Sequence, residues 1–105
     1  MTKDQEIYQK IAQILHNIIP EDGKIIIMKS ELVKENDCAT FNFDYINNNG
    51  EQNWVTETGI AGGKLRRLLA ELREFMMSQN QPYWQGCHFQ LDIETGKISI
   101  EFIYE

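Results

Sequence analysis

The stretch Cys87-His88-Phe89-Gln90-Leu91-Asp92-Ile93-Glu94-Thr95-Gly96-Lys97-Ile98-Ser99-Ile100-Glu101-Phe102-Ile103-Tyr104 decides the fold. Cys87, Phe89, Leu91 and Ile93 are apolar, and His88, Gln90, Asp92 and Glu94 between them are polar. Beyond Thr95-Gly96 the alternation resumes with Ile98, Ile100, Phe102 and Tyr104 against Lys97, Ser99 and Glu101. Two runs of period two split by a Gly-containing turn predict a β-hairpin. A two-residue loop at Thr95-Gly96 pairs Ile93 with Ile98, Leu91 with Ile100, Phe89 with Phe102 and Cys87 with Tyr104. That register gathers the apolar residues on one face, and a slip by one residue would separate them. The other face then carries His88, Gln90, Asp92, Glu94, Ser99 and Glu101.

Upstream of the hairpin, Gln81-Pro82-Tyr83-Trp84 is a turn that stops a helix. Before it, Leu65, Leu68, Leu69, Leu72, Phe75 and Met76 form an apolar helical stripe, with Arg66, Arg67, Arg73 and Glu74 off it. Such a stripe is core by ordinary burial preference. Lys64, Arg66 and Arg67 oppose the dipole at that helix's start, which marks either an acidic neighbour or plain surface charge. Gly59-Ile60-Ala61-Gly62-Gly63-Lys64 is not a phosphate loop, since Thr58 and Leu65 stand where a Walker motif needs Gly and Ser or Thr. It is expected to be a flexible joint into the helix.

At the other end, Ile7, Ile11, Ile14, Leu15 and Ile18 predict an amphipathic helix from about 4 to 18, capped by Thr2 with Gln5 or by Asp4 and ended by Pro20 and Gly23. His16 falls on its polar side. Lys24–Lys34 and Asp37–Asn47 read as strands around the turn Glu35-Asn36-Asp37. The run Ile25-Ile26-Ile27 predicts a strand partly covered on both faces. Asn47-Asn48-Asn49-Gly50 is a hairpin turn, because Asn and Gly accept positive φ. An even-length loop there places Trp54 in the core beside Phe43 and Tyr45. Asn42, Asp44, Glu51, Asn53 and Glu57 then point the other way. The predicted architecture is α+β, ordered α-β-β-β-α-β-β, with an antiparallel sheet of about five strands covered on one face by two helices.

The ordered set Leu65–Met76, Pro82, Trp84, Phe89, Leu91, Gly96, Lys97, Ile98, Ile100, Phe102 and Tyr104 resembles the C-terminal signature of the YezG-like immunity family. The opening helix, Ile7–Gln13 followed by Ile18-Ile19-Pro20, is similar to that family's start. Tyr83 separates Pro82 from Trp84, which the family usually has adjacent, and the chain is shorter than typical members. The resemblance implies an antitoxin that binds and neutralises a secreted bacterial nuclease toxin, as in contact-dependent growth inhibition or related secretion systems.

With 105 residues, 42% hydrophobic and 25% charged, the chain is expected to be one domain with its own core. Cys38 and Cys87 have no metal or redox spacing. The polar start, Met1–Glu6, is too polar for an export signal, so a cytoplasmic protein with reduced thiols is expected. The net charge of −6 is unevenly spread: residues 31–57 hold six acids and one base, and 86–105 hold four acids and one base. Residues 62–78 hold four bases and two acids. An acidic sheet opposes direct nucleic-acid binding, which needs cationic surface. It suits a basic protein partner, although solubility alone also explains it.

No catalytic, cofactor-binding or metal-ligating set is assigned. Cys87 and His88 are adjacent on a strand, so they point to opposite faces and form no dyad. The candidate toxin-binding residues are the carboxylates Asp44, Asp92, Glu94 and Glu101, with Tyr83 and Trp84 as aromatic anchors. Trp84 has an alternative role as a cover for one end of the core. Two rival functions stand beside the antitoxin: a small hydrolase using Asp92, Glu94 and Glu101, and a self-associating structural domain.

Overall fold

The computed structural model describes residues 2–55 and 59–104. Its elements are α1 (Lys3–Ile18), β1 (Gly23–Leu32), β2 (Ala39–Asn47), β3 (Gln52–Trp54), α2 (Ala61–Ser78), β4 (Gly86–Asp92) and β5 (Ile98–Ile103). The element order is the predicted one, and the fold is α+β. The five strands form one antiparallel sheet in the order β3-β2-β1-β4-β5. Neither described helix is long and apolar enough to cross a membrane.

Hydrophobic periodicity explains both helices. In α1, Ile7, Ile11, Ala12 and Leu15 are buried. Its start is closed by the Thr2 N–H donating to Gln5 Oε1 at 3.2 Å, the side-chain half of a capping box. His16 is exposed, as its position on the helix requires. In α2 the buried residues are Ala61, Leu65, Leu69, Leu72 and Arg73. This helix begins four residues before the predicted stripe. Gly62 and Gly63 therefore lie in its first turn and are not a flexible joint. Ahead of it, among the described residues, Gly59 takes the left-handed conformation with φ +56°. Both helices cover the same side of the sheet, where Ile26, Met28 and Leu32 of β1 meet Phe43 of β2 and Cys87, Phe89 and Leu91 of β4.

The C-terminal hairpin keeps its faces but not its register. Leu91 pairs with Ile98, Phe89 with Ile100 and Cys87 with Phe102. Each pairing is displaced by two residues from the predicted one. The cause is Asp92, whose Oδ1 accepts the N–H groups of Glu94 at 3.0 Å and Thr95 at 3.3 Å. Its main chain bonds Lys97 and Gly96, so four residues span the turn, and Gly96 closes it at φ +73°. Ile93 leaves the hairpin, and its N–H donates to the Lys24 carbonyl at 2.8 Å. A displacement of two preserves side-chain alternation, so the apolar face survives the correction.

The β2–β3 hairpin corrects a face. Its loop holds three residues, because the Asn47 N–H donates to the Glu51 carbonyl at 2.9 Å and the Gly50 N–H to the Asn47 carbonyl at 3.0 Å. Gly50 sits at φ +81°, and Asn47 Oδ1 accepts from the Asn49 and Glu51 N–H groups. This is the three-residue hairpin closed by a left-handed Gly. An odd loop inverts parity, so Trp54 lies opposite Asp44 on the uncovered face and is 81% exposed. Asn53 pairs with Tyr45 on the helix side, and Glu51 belongs to the turn. The expectation for Glu57 falls outside the described residues.

Candidate functional site

A sheet with helices on one side leaves its other side free for recognition. Across the middle of that side runs a row of Asn42, Lys29, His88 and Glu101. The next row holds Trp54, Asp44, Ile27, Gln90 and Ser99. A third row brings Gln52, Ile46 and Ile25 beside Asp92. Glu31 also faces outward, opposite Thr40 and Gly86. Four carboxylates thus share the strands of this face with Lys29, and Lys97, exposed opposite Asp92 at the turn, adds a second base. His88 Nδ1 lies 3.9 Å from Glu101 Oε1, an ion pair only when the imidazole is protonated.

Of the predicted acidic set, Asp44, Asp92 and Glu101 share the open face. Glu94 is exposed in the β4–β5 turn, at the edge of that face. Asp92 has a second duty, because its carboxylate holds the turn. From strand spacing and rise per residue, the Asp44, Asp92 and Glu101 anchor points lie roughly 12–16 Å from one another. Glycosidic carboxylate pairs work at about 5–9.5 Å, so these three do not form such a pair. Among the described residues no three His, Cys, Asp or Glu side chains converge as a metal site. Cys87 is buried against Ser30, whose hydroxyl lies 3.3 Å from its sulfur, and burial pushes the thiol pKa above its ordinary value. A thiol so placed is a poor nucleophile.

The two aromatic anchors part company. Tyr83 is partly exposed, at 39%, and its ring stacks on Arg73 with the guanidinium carbon 4.7 Å from the centroid. Trp84 is fully buried, which fits its reading as a cover of the core and not as an exposed anchor. α2 ends at Ser78, with Asn80 beyond it at φ +63°, and after Pro82 the Trp84 ring turns inward onto Phe102, with centroids 5.1 Å apart. It covers the end of the core.

Arg73 is the residue that sequence reasoning placed wrongly. It is 1% exposed. It donates to the carbonyls of Leu32 at 3.0 Å and Trp84 at 3.2 Å, and also bonds the Val33 carbonyl and Asn36 Oδ1. Burial lowers its pKa from the ordinary arginine value, opposed by nearby Tyr83, Glu35 and Glu74. Arg66 joins it by donating to the Asn36 carbonyl at 2.7 Å. Together they tie the β1–β2 turn to α2, which accounts for Arg66 at the start of that helix. The signal was present: Arg73 lies four residues after Leu69 and eight after Leu65, inside the apolar stripe.

A groove of about 700 Å³ lies between β2–β3 and the first turn of α2, lined by Lys29, Asn42, Asp44, Trp54 and Gly63 among others. Asp44 is only 9% exposed there, although it is charged. Trp54 was missed because its face was inverted by the loop. The signal for it was the third Asn of Asn47-Asn48-Asn49-Gly50, which admits a three-residue loop.

A family model described as "Immunity protein YezG-like" matches residues 5–105, nearly the whole chain. None of the curated proteins compared matches it.

Proposed function

Given that the chain belongs to the YezG-like immunity protein family, we propose that it neutralises a secreted nuclease toxin by laying the open face of its sheet against the toxin's cationic surface. The observation that carries this reading is the face itself, where Glu31, Asp44, Asp92 and Glu101, with Glu94 at the edge, outnumber Lys29 and Lys97. A nuclease needs cationic surface to hold phosphates, and a carboxylate-bearing surface can take the place of the nucleic acid. In this reading Asp44, Asp92, Glu94 and Glu101 supply the complementary charge, and Tyr83 is a rim contact. The protein acts by binding, with no turnover of its own.

The test is to look for a nuclease toxin domain encoded next to this chain and measure its inhibition, followed by binding kinetics at two ionic strengths. Asp92 is changed to Asn, which removes charge but keeps the turn acceptor, and is combined with Glu101→Lys. Association should slow several-fold at low salt and become less salt-dependent, with dissociation little changed. Rates unchanged at both ionic strengths would move the interface off this face. Hydrolysis by the purified protein that disappears in Glu101→Gln would support the hydrolase instead.

A further inference from the structure

We infer that the groove between β2–β3 and the first turn of α2 is the seat of an arginine side chain projected by the basic partner. Trp54 is its stacking surface and Asp44 its counter-charge. The partner's identity rests on the antitoxin reading above, but the groove's chemistry stands on three observations of its own.

The first is Trp54, the most exposed large hydrophobic among the described residues, on a three-residue edge strand. Leaving an indole in water forgoes its burial, and tryptophan is enriched among residues that dominate interface energetics. The second is Asp44, nine-tenths buried at the groove wall. Its side chain makes no hydrogen bond or ion pair to another described residue. A carboxylate with no donor among the described residues is open to a cation that enters the groove. The third is that the two face each other. Asp44 and Trp54 are directly paired across β2 and β3, which puts their β-carbons about 5 Å apart.

A guanidinium fits both at once, because its plane stacks on an indole while its edge donates two parallel hydrogen bonds to a carboxylate. An ammonium has no such plane. Lys29 borders the groove but is exposed and makes no ion pair with Asp44, so the carboxylate is left for an incoming cation.

Two measurements test this. In the first, N-acetyl-arginine amide is titrated into the protein while the indole N–H resonances are followed. Trp84 is buried and serves as the internal control. Saturable movement of the Trp54 signal alone is expected, weaker with the lysine amide and lost in Asp44→Asn. No saturation, or equal movement of both indoles, overturns the proposal. In the second, a toxin domain that the wild-type protein is found to inhibit is bound to Trp54→Ala, Trp54→Phe and Asp44→Asn, each checked for an unchanged melting temperature. Trp54→Ala and Asp44→Asn should each weaken binding about 30-fold, mostly through faster dissociation, and Trp54→Phe less. Full affinity in both variants overturns the groove while leaving the antitoxin reading intact. A wild-type protein that saturates with arginine amide but inhibits no nuclease toxin keeps the groove and removes the nuclease.

Discussion

The two tryptophans are the clearest contrast in the molecule. Trp84 is 0% exposed and Trp54 is 81% exposed, yet each stands near one end of a sheet strand, Trp84 just before β4 and Trp54 at the end of β3. Trp84 follows Pro82, so the chain enters β4 with its side chain directed at Phe102 and beneath Arg73. Trp54 follows a three-residue loop whose odd length turns it away from the helices. Residue type does not separate them; the geometry of the preceding turn does. One tryptophan therefore holds the fold together, and the other is available to a partner.

The contrast breaks if the two respond alike to truncation. Trp84→Ala and Phe89→Ala should each cost about 3–5 kcal/mol of stability by chemical denaturation, as buried aromatics do. Losses below about 1 kcal/mol would mean that the helix-side face is misassigned. Trp84→Phe should cost far less than Trp84→Ala, because the buried Nε1–H has no acceptor to lose.

Arg73 sharpens the contrast next, since it stands over the Trp84 ring at 5.7 Å and satisfies carbonyls around it. Arg73→Ala should cost about 2–3 kcal/mol, because it strands buried acceptors. Arg73→Lys should recover only part of that, because one ammonium does not reproduce the fork. Full recovery with lysine would show that charge alone matters there.

At the exposed tryptophan the expected stability change is small. Trp54→Ala should shift unfolding by less than about 1 kcal/mol, where a buried position would have cost several. A large loss would return Trp54 to the core and close the groove.

The cysteines offer the smallest effect and repeat the pattern. Cys38 is exposed and Cys87 is buried. A thiol reagent at pH 8 should modify Cys38 in the native protein and Cys87 only after unfolding. Because burial raises the Cys87 pKa, its contribution to stability is fully present below the unfolded thiol value of about 8.5 and declines as pH rises beyond it. In a Cys38→Ser background, stability should fall gently above that pH, and Cys87→Ala should flatten the decline.

Much of this was legible in one dimension. Periodicity gave both helices, and alternation gave the apolar face of β4 and β5. The spacing of Asp92 and Glu101 against Phe89 and Phe102 put those carboxylates on the uncovered side. These properties depend on side chains a few residues apart, and local geometry carries them over whatever the chain does elsewhere. The buried role of Arg73 was also within reach, but its charge masked its position in the stripe.

Turn length belonged to the tertiary structure. Asn47-Asn48-Asn49-Gly50 admits loops of even or odd length, and Asp92-Ile93-Glu94-Thr95-Gly96-Lys97 admits turns of two or four residues. A difference of two between the turns shifted the β4–β5 register and left the faces intact. A difference of one moved Trp54 from the core to the surface. Strands have a period of two, so parity is the one property that a local pattern does not transmit across an ambiguous turn. Only pairing against β2, with Asp44 opposite Trp54, resolves it.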